Sequence, residues 1–283
     1  MPTTLVDDLR ADIARGHVIC IVGLGASAAA THDPARRPDP ITWRGLLELG
    51  VAECEKLGVA PHATWAATQR TLLASPDLDE MLSAAEHIAG KLGAEHGGGD
   101  YGRWLRESFK GIPIRDRAVP EALVALGVPL LTTNYDDVLE RVNGLPACTW
   151  RDTADVERVL RGDDRAIVHL HGVYQRPDTV VLGVRSYQRL LQDTTAQAFQ
   201  RAFRALRTLL FVGVGQGLDD PNLGSLIAWS RDVFKGSETR HYLLCRSGER
   251  AAIQSKHPLS ERLFAVAYGD DYGDLAPFLR GLI

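Results

Sequence analysis

Four short segments concentrate residue types that move protons, orient hydroxyls or let backbone amides close on an anion. They are Ile21–Ser27 (IVGLGAS), Leu131–Asp137 (LTTNYDD), Ala166–Gly172 (AIVHLHG) and Phe211–Asn222 (FVGVGQGLDDPN). In the first, Gly23 and Gly25 allow close backbone approach to a phosphate, and a helix starting there adds a partial positive charge. Ordinary strand–helix turns use the same glycines, and the third glycine of a G-x-G-x-x-G is absent, position 28 being Ala. In the second, Asn134 or Asp136 reads as a helix cap, with Asp137 complementing the macrodipole. The other reading is a pair converging on a sugar and an amide, since Asn both donates and accepts. In the third, His169 and His171 lie two apart and point to one side if the strand continues. No compact carboxylate or third His lies nearby, so no metal is expected. His171, followed by Gly172, is the candidate acid–base group, because imidazole exchanges protons near neutral pH. His169, deeper in the strand, reads as a core or supporting residue. The fourth segment carries Gly213, Gly215 and Gly217 in a turn, then Asp219 and Asp220 ahead of Pro221, a capping pattern in which one Asp could meet a ligand.

These segments matter together only if the fold brings them to one place. Apolar runs at His17–Leu24, Val128–Thr133, Ala166–Leu170, Thr208–Val214, His241–Cys245 and Leu263–Tyr268 are rich in Val, Ile and Leu, as strands covered on both faces should be. Ala147–Trp150 and Val180–Gly183 are weaker strand candidates. Amphipathic helices lie between them, among them Trp43–Leu57 and Ala198–Leu206. Such alternation predicts an α/β fold with a Rossmann-like, doubly wound parallel sheet. All four segments then fall at carboxyl ends of strands, where open α/β sheets bind ligands, and so mark one crevice. From about Trp43 to Leu126 only helical segments appear. Residues 43–126 are therefore expected to form a helical insertion, with 1–42 and 127–283 as the core of a single domain.

Composition bounds the partners. Among 283 residues, 36 acidic against 32 Lys plus Arg give a formal charge of −4, which disfavours a general nucleic-acid coat. Apolar residues at 45% suffice for a buried core. No apolar run reaches the roughly 18–20 residues of a bilayer span, and the N-terminal stretch has acids where a signal peptide needs an apolar core. A soluble, cytoplasmic chain is expected. The four cysteines (Cys20, Cys54, Cys148 and Cys245) include no C-x-x-C pair, so they are read as buried thiols and no structural zinc module is expected.

Taken in order, GLGAS at 23–27, W-x-x-L-L at Trp43–Leu47, TTNYD at 132–136, HLHG at 169–172, Arg185-Ser186-Tyr187, VGVGQGLDDPN at 212–222 and DYGDLAPFL at 271–279 resemble the SIR2-like (sirtuin-related) family. The chain looks closest to the bacterial branch associated with anti-phage defence, whose members hydrolyse NAD. The resemblance implies NAD as substrate and Asn134, Asp136 and His171 as the catalytic set. Asn134 would lie by the nicotinamide ribose and the attacking water, and Asp136 by the carboxamide. Gly23, Gly25, Ala26, Ser27 and Thr133 would line the dinucleotide, with Gly213, Gly215 and Gln216 near its adenosine half. Protein-deacylating relatives carry a zinc module built from two cysteine pairs, which this chain lacks, so bare NAD cleavage is expected ahead of deacylation. A non-catalytic NAD or ADP-ribose sensor would need the same pocket. A single domain is expected to take up the whole chain and an unregulated NAD hydrolase would be toxic, so control is expected from self-assembly or a separate sensor chain.

Overall fold

The computed structural model describes residues 4–94, 99–215, 221–225 and 239–283. Seven parallel strands form one sheet: β1 Val18–Val22, β2 Leu130–Thr132, β3 Ala147–Thr149, β4 Ile167–His169, β5 Thr208–Val212, β6 His241–Arg246 and β7 Leu263–Gly269. Their spatial order is β3-β4-β2-β1-β5-β6-β7. The chain leaves β1 toward β2 and later returns to its other side as β5, so β1 and β5 flank a reversal of winding, the place where such sheets open a crevice. The expected Rossmann-like architecture is the one observed.

Alternation along each strand builds two cores. Val18, Cys20 and Val22 of β1 join Leu210, Val212 and Tyr242 on one face, packed by helix α1 (Leu5–Ala14). Ile19 and Ile21 join Leu131, Val168, Phe211 and Leu243 on the other. Every residue of β1, β2 and β5 is buried, which explains their uninterrupted apolar sequence.

Helix α2 (Leu24–Thr31) follows β1 directly. The segment after it is helical, as its periodicity predicts: α3 (Trp43–Lys56), α4 (Trp65–Ala74), α5 (Leu78–Lys91), α6 (Gly99–Phe109) and α7 (Ala118–Ala125). Local chemistry sets the helix starts. The Thr42 hydroxyl accepts from Gly45 N at 3.1 Å to open α3, and the Asp77 carboxylate accepts from Asp79 N at 2.9 Å to open α5. Leu46, Leu47, Leu73, Ile88 and Leu105 make a separate helical core, to which Val180 and Leu182 also belong. Helix α7 instead places Val119, Ala122 and Leu123 against the β1 face of the sheet.

Helix α8 (Val138–Asn143) follows β2, and α9 (Thr153–Arg161) follows β3. After β4 come α10 (Val184–Gln192) and α11 (Thr194–Leu206). The weak strand candidate at Ala147–Trp150 is β3. The other, Val180–Gly183, is not a strand. Its amides are claimed locally, Val181 N donating to His171 O at 2.9 Å and Leu182 N to Ser186 Oγ at 2.8 Å. Val180 and Leu182 face the helical core, and Val181 packs with Leu82, Tyr187 and Leu190, rather than against a neighbouring strand. No helix among the described residues is long and apolar enough to cross a membrane.

Candidate functional site

Register aligns the strand ends. Val22 pairs with Thr132 and with Val212, and Thr132 pairs with His169, so β1, β2, β4 and β5 finish level. The four segments singled out in the sequence leave the sheet at this one end.

The first and last of them interlock through backbone. Gly23 N donates to Val212 O at 2.9 Å and Gly25 N to Gly213 O at 2.8 Å. A Cβ on Gly23 would lie 2.5 Å from Val214 Cα, and one on Gly25 would lie 2.8 Å from Gly213 Cα. Gly213, at φ +66°, would drive a Cβ to 2.8 Å from Ala26 N. These glycines therefore let the β1–α2 turn sit on the end of β5, and two of the amides are spent there. Gly215 is also left-handed, at φ +52°. Gln216, Gly217, Asp219 and Asp220 lie outside the described residues.

Next to this turn, Asn134, Ser27 and Asp136 form a buried network. Thr132 Oγ1 donates to Val22 O at 2.9 Å and accepts from Asn134 N at 3.0 Å, which tips the chain out of β2 toward β1. Thr133 N donates to the same Val22 carbonyl at 3.2 Å. Asn134 Nδ2 then donates to Gly23 O at 3.1 Å and to Ser27 Oγ at 3.0 Å, and Ser27 Oγ donates to Asp136 Oδ1 at 2.8 Å. Asp136 Oδ1 also accepts from Val138 N at 3.0 Å, so it serves the start of α8 as well. The capping and site readings of Asp136 are thus compatible. Burial pushes the Asp136 carboxyl up to about 6, against the hydrogen bonds from Val138 N and Ser27.

Strand β4 ends at His169, so the two histidines part company. His169, with no exposed surface, points its Nδ1 at Asn134 O (2.9 Å) and its Nε2 at Glu140 Oε1 on α8 (2.6 Å). Burial works against charging this ring, but the Glu140 carboxylate outweighs it and holds the imidazole above its ordinary value. His171 packs edge-on against Tyr187 of α10, ring centroids 5.5 Å apart, and is 3% exposed. Its loop runs beside the Asn134 loop, Leu170 N donating to Thr132 O at 2.8 Å and Tyr174 N to Tyr135 O at 2.9 Å. Gly172, at φ +79°, closes that loop onto Thr179, whose carbonyl would meet a Cβ at 2.2 Å.

The structure therefore joins Asn134, Ser27 and Asp136 directly, and brings the His171 loop alongside. Tyr135 and Tyr187 fall inside two of the quoted motifs but are given no role there, and Glu140 lies outside every motif, although it follows Asp136 by one helical turn. The cluster offers hydroxyl and amide donors, one carboxyl of raised pKa and an imidazole, a set that fits a polar sugar and an adjoining amide. Among the described residues no group of three or more His, Cys, Asp or Glu is placed to hold a metal ion. The four cysteines are free, buried and distributed over β1, α3, β3 and β6. Residues 129–269, half of the chain, match the family model of a SIR2-like domain.

Proposed function

Because the chain belongs to the SIR2-like family, which ties it to NAD chemistry, we propose that it hydrolyses NAD at the bond between nicotinamide and ribose. The observation that carries this reading is the buried Asn134–Ser27–Asp136 network at the level ends of β1, β2, β4 and β5. A polar network buried at the carboxyl ends of parallel strands, with one carboxyl raised by burial, is more typical of a working site than of a core.

The residues divide the work. Nicotinamide leaves a cationic pyridinium as a neutral molecule, so no strong acid is required, and the sugar passes through an oxocarbenium-like transition state. Asn134 positions the ribose and the attacking water, and Asp136 faces the carboxamide. His171 takes a proton from a ribose hydroxyl or from that water. The start of α2, at Ala26 and Ser27, meets the phosphates while Gly23 and Gly25 hold the turn, and Thr133 lines the same wall. Gly213, Gly215 and Gln216 are assigned to the adenosine half. Four cysteines buried in four different elements supply no paired-thiolate zinc module, which supports cleavage of NAD itself over deacylation of a protein.

We assign the chain the role of an NAD-depleting effector in bacterial anti-phage defence, held in check by self-assembly or by a separate sensor chain. Chromatography of NAD incubated with the pure protein, alone and with the products of neighbouring genes, tests both points. Free nicotinamide is expected, and His171→Ala should lower its rate by roughly 10²–10⁴-fold while the fold persists. A folded His171→Ala protein releasing nicotinamide at the wild-type rate overturns the assignment. Binding of NAD without nicotinamide release would favour the sensor reading.

A further inference from the structure

We propose that Glu140 and His169 form a buried positioning pair that fixes the peptide between Asn134 and Tyr135, and so aims both Asn134 and Asp136. The inference rests on the hydrolase reading for its kinetic test but on geometry for its substance. Both ring nitrogens of His169 face acceptors: Nδ1 the Asn134 carbonyl at 2.9 Å, Nε2 the Glu140 carboxylate at 2.6 Å. A neutral imidazole carries one N–H and cannot donate to both. The pair therefore carries one proton between Nε2 and the Glu140 oxygen, and wherever along that bond it rests, Nδ1–H donates to the Asn134 carbonyl.

That contact lies midway between the two side chains that matter. The N–H of Asn134 is already held by Thr132 Oγ1, and its carbonyl is held by His169. With both ends of the residue clamped, the Asn134 amide reaches Gly23 O and Ser27 Oγ, and the next turn delivers Asp136 to Ser27. Glu140 sits on α8, the helix that the Asp136 turn begins, so the pair ties β4, the loop and the helix into one unit. A buried ion pair is a poor way to gain stability, because apolar residues of similar volume do as well or better. Its value here is direction. Neither residue touches substrate in this scheme; both act through Asn134.

Two substitutions separate the halves of the pair. In His169→Asn the side-chain amide nitrogen takes the place of Nδ1 and keeps the bond to Asn134 O. In His169→Gln it takes the place of Nε2 and keeps only the link to Glu140. The expected result is that His169→Gln lowers kcat for nicotinamide release by about 10²-fold, with KM changed little, as misplacement of a catalytic group does. His169→Asn should retain clearly more turnover than His169→Gln, and Glu140→Gln, which can still hold the ring so that Nδ1 donates, clearly more than Glu140→Leu. In parallel, ¹⁵N NMR should find the Asn134 side-chain amide as one sharp pair in wild type and in His169→Asn, but broadened or split in His169→Gln. Equal loss of turnover in both His169 variants, loss confined to KM, or an unchanged Asn134 amide in His169→Gln overturns the proposal. Should wild type release no nicotinamide, the hydrolase reading fails and the Asn134 amide alone decides this one.

Discussion

Asp136 illustrates how burial and hydrogen bonding pull one carboxyl in opposite directions. Its carboxyl rises from 3.8 to about 6 because it is buried, with Ser27 and Val138 N–H only partly compensating. A carboxyl raised in the folded state keeps its proton while the unfolded chain loses it. Its contribution to stability is full below about pH 3.8 and is lost as pH climbs through about 6, a span worth on the order of 3 kcal/mol. Asp136→Asn keeps an oxygen for Ser27 and Val138 but has nothing to ionise. Urea unfolding at several pH values from 4 to 7 should show wild type losing stability relative to Asp136→Asn over that interval, and parallel curves would remove the argument. His169 shows the limit of reading single residues. Its HLHG setting places it at the end of a strand, yet nothing in the sequence says that its partners are a backbone carbonyl and a glutamate 29 positions back, because that contact exists only once β2 and β4 pair.

At the level of elements, strand and helix positions were legible because burial on two faces enforces runs of Val, Ile and Leu, and amphipathic packing enforces helical spacing. Val180–Gly183 was misleading for the same reason. An apolar quartet buried under a helical layer looks like a strand until its hydrogen bonds are counted. This segment also carries a close backbone joint. A Cβ on Gly183 would lie 2.8 Å from both Cα and N of Glu86 on α5, while the Glu86 carboxylate accepts from Arg185 N at 3.0 Å. Gly183→Ala must push α5 away or distort the approach to Tyr187, at a cost of about 1–3 kcal/mol. A lowered midpoint in thermal unfolding is expected, whereas Gly90→Ala, on the same α5 with open space at its Cβ, should leave it in place or raise it. Gly213→Ala belongs to the same class but should be more severe, since it adds a left-handed φ of +66° to a 2.8 Å backbone approach.

Viewed as a whole, the molecule ties its helical layer to the loops at the carboxyl end of the sheet. Glu86 accepts from Arg185 N in the first turn of α10, which carries Tyr187 against His171. On the other side Phe109 of α6 stacks on Tyr174 with centroids 5.2 Å apart, and Arg141 of α8 donates to Ile112 O at 2.9 Å. A force applied to the outer helices therefore reaches the loops of Asn134 and His171 without passing through the sheet. None of these cross-connections has a local sequence signature, since each depends on residues far apart in the chain. The cysteines give that architecture a built-in reporter. Burial pushes the thiol of Cys54 in α3 up to about 11 and that of Cys148 in β3 up to about 12, and it raises Cys20 in β1 and Cys245 in β6 as well. With every sulfhydryl sealed and reluctant to become thiolate, an alkylating reagent can mark each only when its own surroundings breathe. The order in which the four acquire label would chart, region by region, which part of the protein loosens first.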